Sequence, residues 1–145
     1  FTNIEFIKGD IEEMPFPDSS FDVIVSNCVL NLVPDKNRAF AEMRRVLRPS
    51  GHFCVSDVVV KGNLPEELKN EAEMYAGCVS GAIDMDEYLS LIEKQGFQNV
   101  TVHKQTEIMI PEEIKDKYLS RTESIRFKKS DDAGIYSITV SGFKN

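Results

Sequence analysis

The sequence predicts an α/β fold, a layered sheet with helices on its faces. Near-continuous apolar runs at Phe21–Val25 and Phe53–Val60 flank a stretch in which Ala39, Phe40, Met43, Val46 and Leu47 recur at helical spacing. Near the C-terminus, Tyr136, Ile138 and Val140 alternate with a period of two. Strands that alternate with helices and then close with an antiparallel pair belong to this architecture.

Taken in order, Ile4–Ile7 reads as a short strand closed by Gly9-Asp10, and Pro15 and Pro17 mark an irregular loop. Phe21–Val25 lacks alternation, as a parallel strand covered on both faces does. Asp35 suits the N-cap of the following helix, whose last turns carry Arg44, Arg45 and Arg48 and which Pro49-Ser50-Gly51 is expected to stop. A second helix is expected from Leu64-Pro65-Glu66-Glu67, with Leu68, Ala72, Tyr75 and Ala76 on its apolar face. Asp84, with Glu87 three residues on, starts a third, lined by Met85, Tyr88, Leu89 and Ile92 and ended by Gly96. Val100 and Val102 mark a strand and Pro111–Leu119 a short helix. Ile125–Phe127 is expected to form a hairpin with Tyr136–Phe143.

The 145 residues fit one domain, with no repeat or flexible linker. Seventeen Lys and Arg against 24 Asp and Glu leave a net charge of −7, which disfavours nucleic acid and anionic membrane as partners. A composition 41% hydrophobic and 28% charged is that of a globular chain. No apolar run approaches the ~20 residues that cross a bilayer. The chain opens on Phe1 with no signal-peptide pattern, so a processed or truncated piece of a longer protein is expected. Cys28, Cys54 and Cys78 are too few, and odd in number, for a disulfide scaffold, so the expected location is a reducing cytoplasm. Two histidines far apart, His52 and His103, do not suggest a zinc cage.

A nucleotide-binding α/β fold usually begins with a Gly-rich turn between strand and helix. No two of the eight glycines are separated by a single residue, so no G-x-G loop is present. The chain therefore reads as the later part of such a fold.

Three segments resemble class I S-adenosylmethionine-dependent methyltransferases. Gly9-Asp10-Ile11-Glu12-Glu13-Met14-Pro15-Phe16-Pro17 with Ser20-Phe21-Asp22 is similar to that family's adenine-side loop and fourth strand, and Arg45-Val46-Leu47-Arg48-Pro49-Ser50-Gly51 to the turn before its fifth strand. Two further segments resemble arsenite methyltransferases: Ser26-Asn27-Cys28-Val29-Leu30-Asn31-Leu32-Val33-Pro34-Asp35-Lys36, and Glu73-Met74-Tyr75-Ala76-Gly77-Cys78-Val79-Ser80-Gly81-Ala82-Ile83. The resemblance implies a Rossmann-like methyltransferase sheet, incomplete at its N-terminal side and ending in a C-terminal antiparallel strand pair. Residues 1–145 would be the C-terminal part of one methyltransferase domain, with 1–60 the second half of the cofactor core and 61–145 the substrate-side helices and closing strands.

The same resemblance implies methyl transfer from S-adenosylmethionine to trivalent arsenic held by the thiolates of Cys28 and Cys78, the catalytic and metalloid-binding pair. Asp10 would accept from the adenine amino group, the Ile11 amide would donate to the ring, and Asn27 would belong to the methyl-transfer pocket. Soft arsenic selects thiolates, and Gly77 and Gly81 would let the chain close on the site. The substrate would be arsenite or its thiol conjugates, with a thiol reductant as a further partner and detoxification as the role. Cys54 lacks such flanking sequence and reads as a packing residue, and Asp22 and Asp57 as structural hydrogen-bonding acids. Alternatives are a C- or O-methyltransferase of a small organic molecule and a non-catalytic thiol module for soft metals. Without a glycine loop the segment alone is expected to be inactive, and an open sheet edge is expected to favour dimerisation.

Overall fold

A computed structural model describes residues 1–62, 64, 66–70, 79, 81–118 and 133–145. The elements are β1 (Phe21–Asn27), a 3-10 turn (Leu30–Leu32), α1 (Lys36–Val46), β2 (Leu47–Lys61), α2 (Met85–Lys94), β3 (Gln98–Glu107), α3 (Glu112–Tyr118) and β4 (Gly134–Phe143). Residues 66–70 are also helical. The four strands form one sheet in the order β1-β2-β4-β3. β1 and β2 run parallel, with Ile24 beside Phe53 and Asn27 beside Ser56. β4 is antiparallel to both β2 and β3, so the sheet is mixed, with its antiparallel part at the C-terminal end of the chain.

One face of the sheet is covered by α1 and α2. Phe53, Val55, Val59, Ile138 and Val140 meet Phe40 and Met43 of α1 and Tyr88 and Ile92 of α2 in the main core. The Phe40 ring stands edge-on to Tyr88 at 5.7 Å, and Phe53 edge-on to Phe97 at 4.7 Å, the geometry that ring quadrupoles favour. A second apolar cluster unites Val58, Val60, Leu64, Leu68, Val79, Ile110 and Ile135. The two clusters divide β2 by the period of two: Val55 and Val59 serve one, Val58 and Val60 the other.

The helix ends follow local chemistry. The Asp35 carboxylate accepts from the Arg38 amide at 3.0 Å, and that of Asp84 from the amides of Asp86 and Glu87, so both acids cap as expected. Gly96 takes φ +86, the left-handed conformation that closes α2.

Several expectations are corrected. Residues 4–7 form no strand; among the described residues they have no neighbouring strand to satisfy their backbone groups, and Ile4, Phe6 and Ile7 are exposed. β1 is not covered on both faces: it is an edge strand on whose open side Val25 is 76% exposed, while Ile24 packs on the core. α1 stops at Val46, and 47–51 already belong to β2. Pro49 disfavours helical geometry in the residue before it, which turns the chain straight into the strand. Arg48 thus leaves the helix and meets Asp22 at 2.9 Å. The expected partner of β4, 125–127, lies outside the described residues; among those described, β4 has β2 along one edge and β3 along the other. The apolar face expected at Ala72, Tyr75 and Ala76 lies outside the described residues as well.

Candidate functional site

The carboxyl ends of the parallel strands β1 and β2 carry the chemistry-bearing residues, the position at which open α/β sheets take ligands. Asn27 is the last residue of β1, exposed and paired in register with Ser56. Cys28 follows at φ +54, a conformation that costs a non-glycine residue about 1–3 kcal/mol and persists only where its surroundings enforce it. Here the Cys28 amide donates to the Ser56 carbonyl at 2.8 Å, continuing the β1–β2 pairing through the bend. The half-buried Cys28 side chain packs against the second apolar cluster, which includes Val79.

Beneath this bend lies a buried polar group. Asp57 is 1% exposed; Tyr88 of α2 donates to its Oδ2 at 2.5 Å, and the Asn31 amide approaches its Oδ1 at 3.4 Å. Burial pushes the Asp57 carboxyl above its usual value, against the opposing pulls of Tyr88, the Asn31 amide and Lys36. Burial likewise raises the Tyr88 phenol, with the Asp57 charge adding to it. Burial lowers the Lys36 ammonium, opposed by the charges of Asp57 and Glu87, while its Nζ donates to the Val33 carbonyl at 3.1 Å.

Gly81 seals the other side. It has φ +74, and a Cβ added there would stand 2.4 Å from the Asn31 carbonyl oxygen, so the backbone after position 78 rests directly on the turn after Cys28. The sequence had marked Gly81 for such an approach; Gly77 and Cys78 lie outside the described residues.

Asp10 and Ile11 sit in a turn at the head of the loop 10–18. Asp10 is exposed; its Oδ1 accepts from the Glu12 amide at 2.9 Å and its carbonyl from the Glu13 amide at 3.1 Å. Ile11 packs inward against the main core. This turn is tied to the segment after Cys28, because the Asp35 amide donates to Glu12 Oε1 at 2.7 Å. Asp22 and Asp57 both have the structural partners expected of them, an exposed arginine and a buried tyrosine. Cys54 lies on the strand β2, half-buried. Sequence reasoning took Tyr88 only as an apolar lining residue and missed its hydroxyl; a tyrosine amid buried positions was the available signal, since such a hydroxyl requires a partner. Among the described residues no cluster of three or more His, Cys, Asp and Glu could hold a metal ion.

Residues 1–96 match the family described as a methyltransferase domain. The chain belongs to that family. The methyltransferase domain also brings this chain close to solved structures. The arsenic(III) S-adenosylmethionine methyltransferase of Chlamydomonas reinhardtii superposes with a TM-score of 0.75 at 34% identity, over 98% of this chain and 44% of that one. The YcgJ protein of Bacillus subtilis gives 0.74 at 18% identity, over 99% and 72%, a likeness of fold. An arsenite methyltransferase of Aquipseudomonas alcaligenes is 36% identical over 147 residues, covering 99% of this chain and 39% of that protein. The chain thus spans about two fifths of the length of these two arsenic-methylating relatives. Among the described residues no helix is long and apolar enough to cross a membrane.

Proposed function

We propose that the intact protein transfers a methyl group from S-adenosylmethionine to trivalent arsenic held by the thiolates of Cys28 and Cys78. The observation that carries this reading is the closure of the chain around Cys28: Val79, next in sequence to Cys78, shares an apolar cluster with Cys28, and Gly81 rests on Asn31. Similarity to an arsenite methyltransferase along 99% of the chain supports it.

The residues present fit the adenosine side of the cofactor. Asp10 offers an exposed carboxylate to an exocyclic amine, the Ile11 amide is a donor for a ring nitrogen, and Asn27 stands at the strand end beside Cys28. When bound, S-adenosylmethionine supplies an electrophilic methyl group and keeps the electron pair of the broken carbon–sulfur bond. Cys28 and Cys78 hold the arsenic so that its lone pair faces the open side of the ligand pyramid; positioning of this kind needs no general base. The bond to arsenic favours the thiolate form of each cysteine. The apolar wall of Val58, Val60, Leu64 and Val79 limits water at the site.

A thiol reductant belongs to the reaction because donation of the arsenic lone pair to the methyl group leaves arsenic formally pentavalent, and two thiols oxidised to a disulfide supply the two electrons that return it to the trivalent state; the reducing cytoplasm is the matching location, with detoxification as the role. The open edge of β1, with Val23 and Val25 exposed, suits self-association of the 145-residue chain, for which sedimentation should report a dimer; a monomer at all concentrations would reject that.

Incubation of the intact protein with arsenite, S-adenosylmethionine and a thiol should yield methylated arsenic, resolved by liquid chromatography with elemental detection. No methylated arsenic, with methyl transfer instead to carbon or oxygen of an organic acceptor, overturns the reading. Arsenic binding without any methyl transfer would also overturn it, in favour of a thiol module.

A further inference from the structure

Loop 10–18 has little secondary structure of its own, yet the backbone groups of Glu12, Met14 and Phe16 find partners on one face of α1. Arg38 Nε donates to the Glu12 carbonyl at 2.8 Å. Glu42 Oε2 accepts from the Met14 amide at 2.8 Å. The Arg45 guanidinium donates to the Met14 carbonyl at 3.0 Å, to the Phe16 carbonyl at 2.7 Å and to Asp18 Oδ1 at 2.9 Å, and it grips both oxygens of Glu42 at 2.7 and 2.9 Å. Positions 38, 42 and 45 follow the i, i+4, i+7 spacing of a single helical stripe. The fork geometry of arginine is what lets one side chain serve two carbonyls and two carboxylates at once. Backbone pairing from the Ser19 amide to the Arg45 carbonyl and from the Ser20 amide to the Val46 carbonyl finishes the seam.

We propose that Arg45, braced by Glu42, is a positioning residue for cofactor binding: it clamps 14–18 to α1 and so presents the Asp10–Ile11 turn in a fixed geometry. This rests on the reading that Asp10 and Ile11 meet the adenine. An unclamped loop would have to be ordered at the moment of binding, and that entropy is subtracted from affinity. Arg45 itself touches no reacting atom.

The test uses the intact protein and S-adenosylhomocysteine as the calorimetric probe, which needs no turnover. Arg45→Ala should weaken binding about tenfold, and Arg45→Lys nearly as much, because an ammonium cannot span the four acceptors. In the ligand-free protein, amide exchange at Met14 and Phe16 should speed up in both variants while the β2 and β4 amides keep their protection, which shows that the fold survives. If Arg45→Lys restores full affinity, or if Arg45→Ala binds as tightly as the native protein while Asp10→Ala binds weakly, the clamp is overturned and the adenine reading stands. If Asp10→Ala also leaves the affinity unchanged, the adenine reading itself fails.

Discussion

The Tyr88 hydroxyl donates to Oδ2 of Asp57 at 2.5 Å, with both side chains shut away from solvent and Asp57 Oδ1 turned toward the Asn31 amide. The pair joins α2 to β2 directly below the bend that carries Cys28, so the strength of this bond bears on the shape of the site.

Tyr88→Phe should destabilise the protein by about 1–3 kcal/mol, because Asp57 is then buried without its best donor. The penalty should vary with pH. The folded-state value of Asp57 is raised, so its favourable contribution is complete below the unfolded carboxyl value and is lost as pH rises through the folded one. Removing the hydroxyl raises the folded value further. Urea unfolding at pH 4 and pH 7 should therefore show the larger loss at pH 7, and equal losses would mean that Asp57 does not ionise there.

Gly81→Ala should cost about 2 kcal/mol or more, since the position combines a positive φ with a backbone oxygen where the methyl would go. Because the clash is with Asn31, the turn after Cys28 must shift as well. Arsenite affinity should fall along with stability, measured by competition with a dithiol. A variant that is destabilised but binds arsenite normally would uncouple this contact from the site.

Cys28→Ser and Cys78→Ser should each reduce arsenite binding at least a hundredfold, because a hydroxyl is a hard and poorly acidic donor for a soft centre. Their unfolding midpoints should stay close to that of the native protein. Cys54→Ser, on the strand β2, should bind as before. Equilibrium dialysis with elemental analysis decides it, and native-like binding by either site variant would remove that cysteine from the ligand set.

Much of the architecture was legible in the sequence because the signals were local. The 3.6-residue spacing of Phe40, Met43 and Val46 and the acids Asp35 and Asp84 announced α1 and α2 without knowledge of their surroundings. What failed depended on neighbours. Phe21–Val25 is apolar enough for a covered strand, but whether a strand is covered is decided by what lies beside it, and β1 is an edge. Ile4–Ile7 has strand-like residues but, among the described residues, no partner strand. The pairing of β4 with both β2 and β3 could not be read from spacing, because strand order across a sheet is set by non-local contacts. In the candidate site, the sequence around Asp10, Asn27 and Cys28 is what singles them out as proposed site residues, whereas the links among Tyr88, Asp57 and Asn31 join residues 26 to 31 positions apart and leave no mark in any short window.

The Glu42–Arg45 pair should make loop 14–18 sensitive to acid. The hydrogen bond from Arg45 holds the Glu42 carboxyl below its ordinary value, with the Met14 amide adding to the effect against a partial loss of hydration. A depressed folded value contributes stability that is present above the unfolded value of about 4.3 and is lost as pH falls through the folded one. The Met14 protection factor should therefore be constant from neutral pH to about pH 5 and decline below about pH 4, as the carboxylate that accepts from the Met14 amide and from Arg45 takes up a proton. In Glu42→Gln the protection should be lower throughout and flat across the same range, because the neutral amide still accepts a hydrogen bond but no longer pairs with the guanidinium charge. Hydrogen exchange read by nuclear magnetic resonance distinguishes the two profiles, and an acid-induced decline that persists unchanged in Glu42→Gln would assign the transition to another carboxylate.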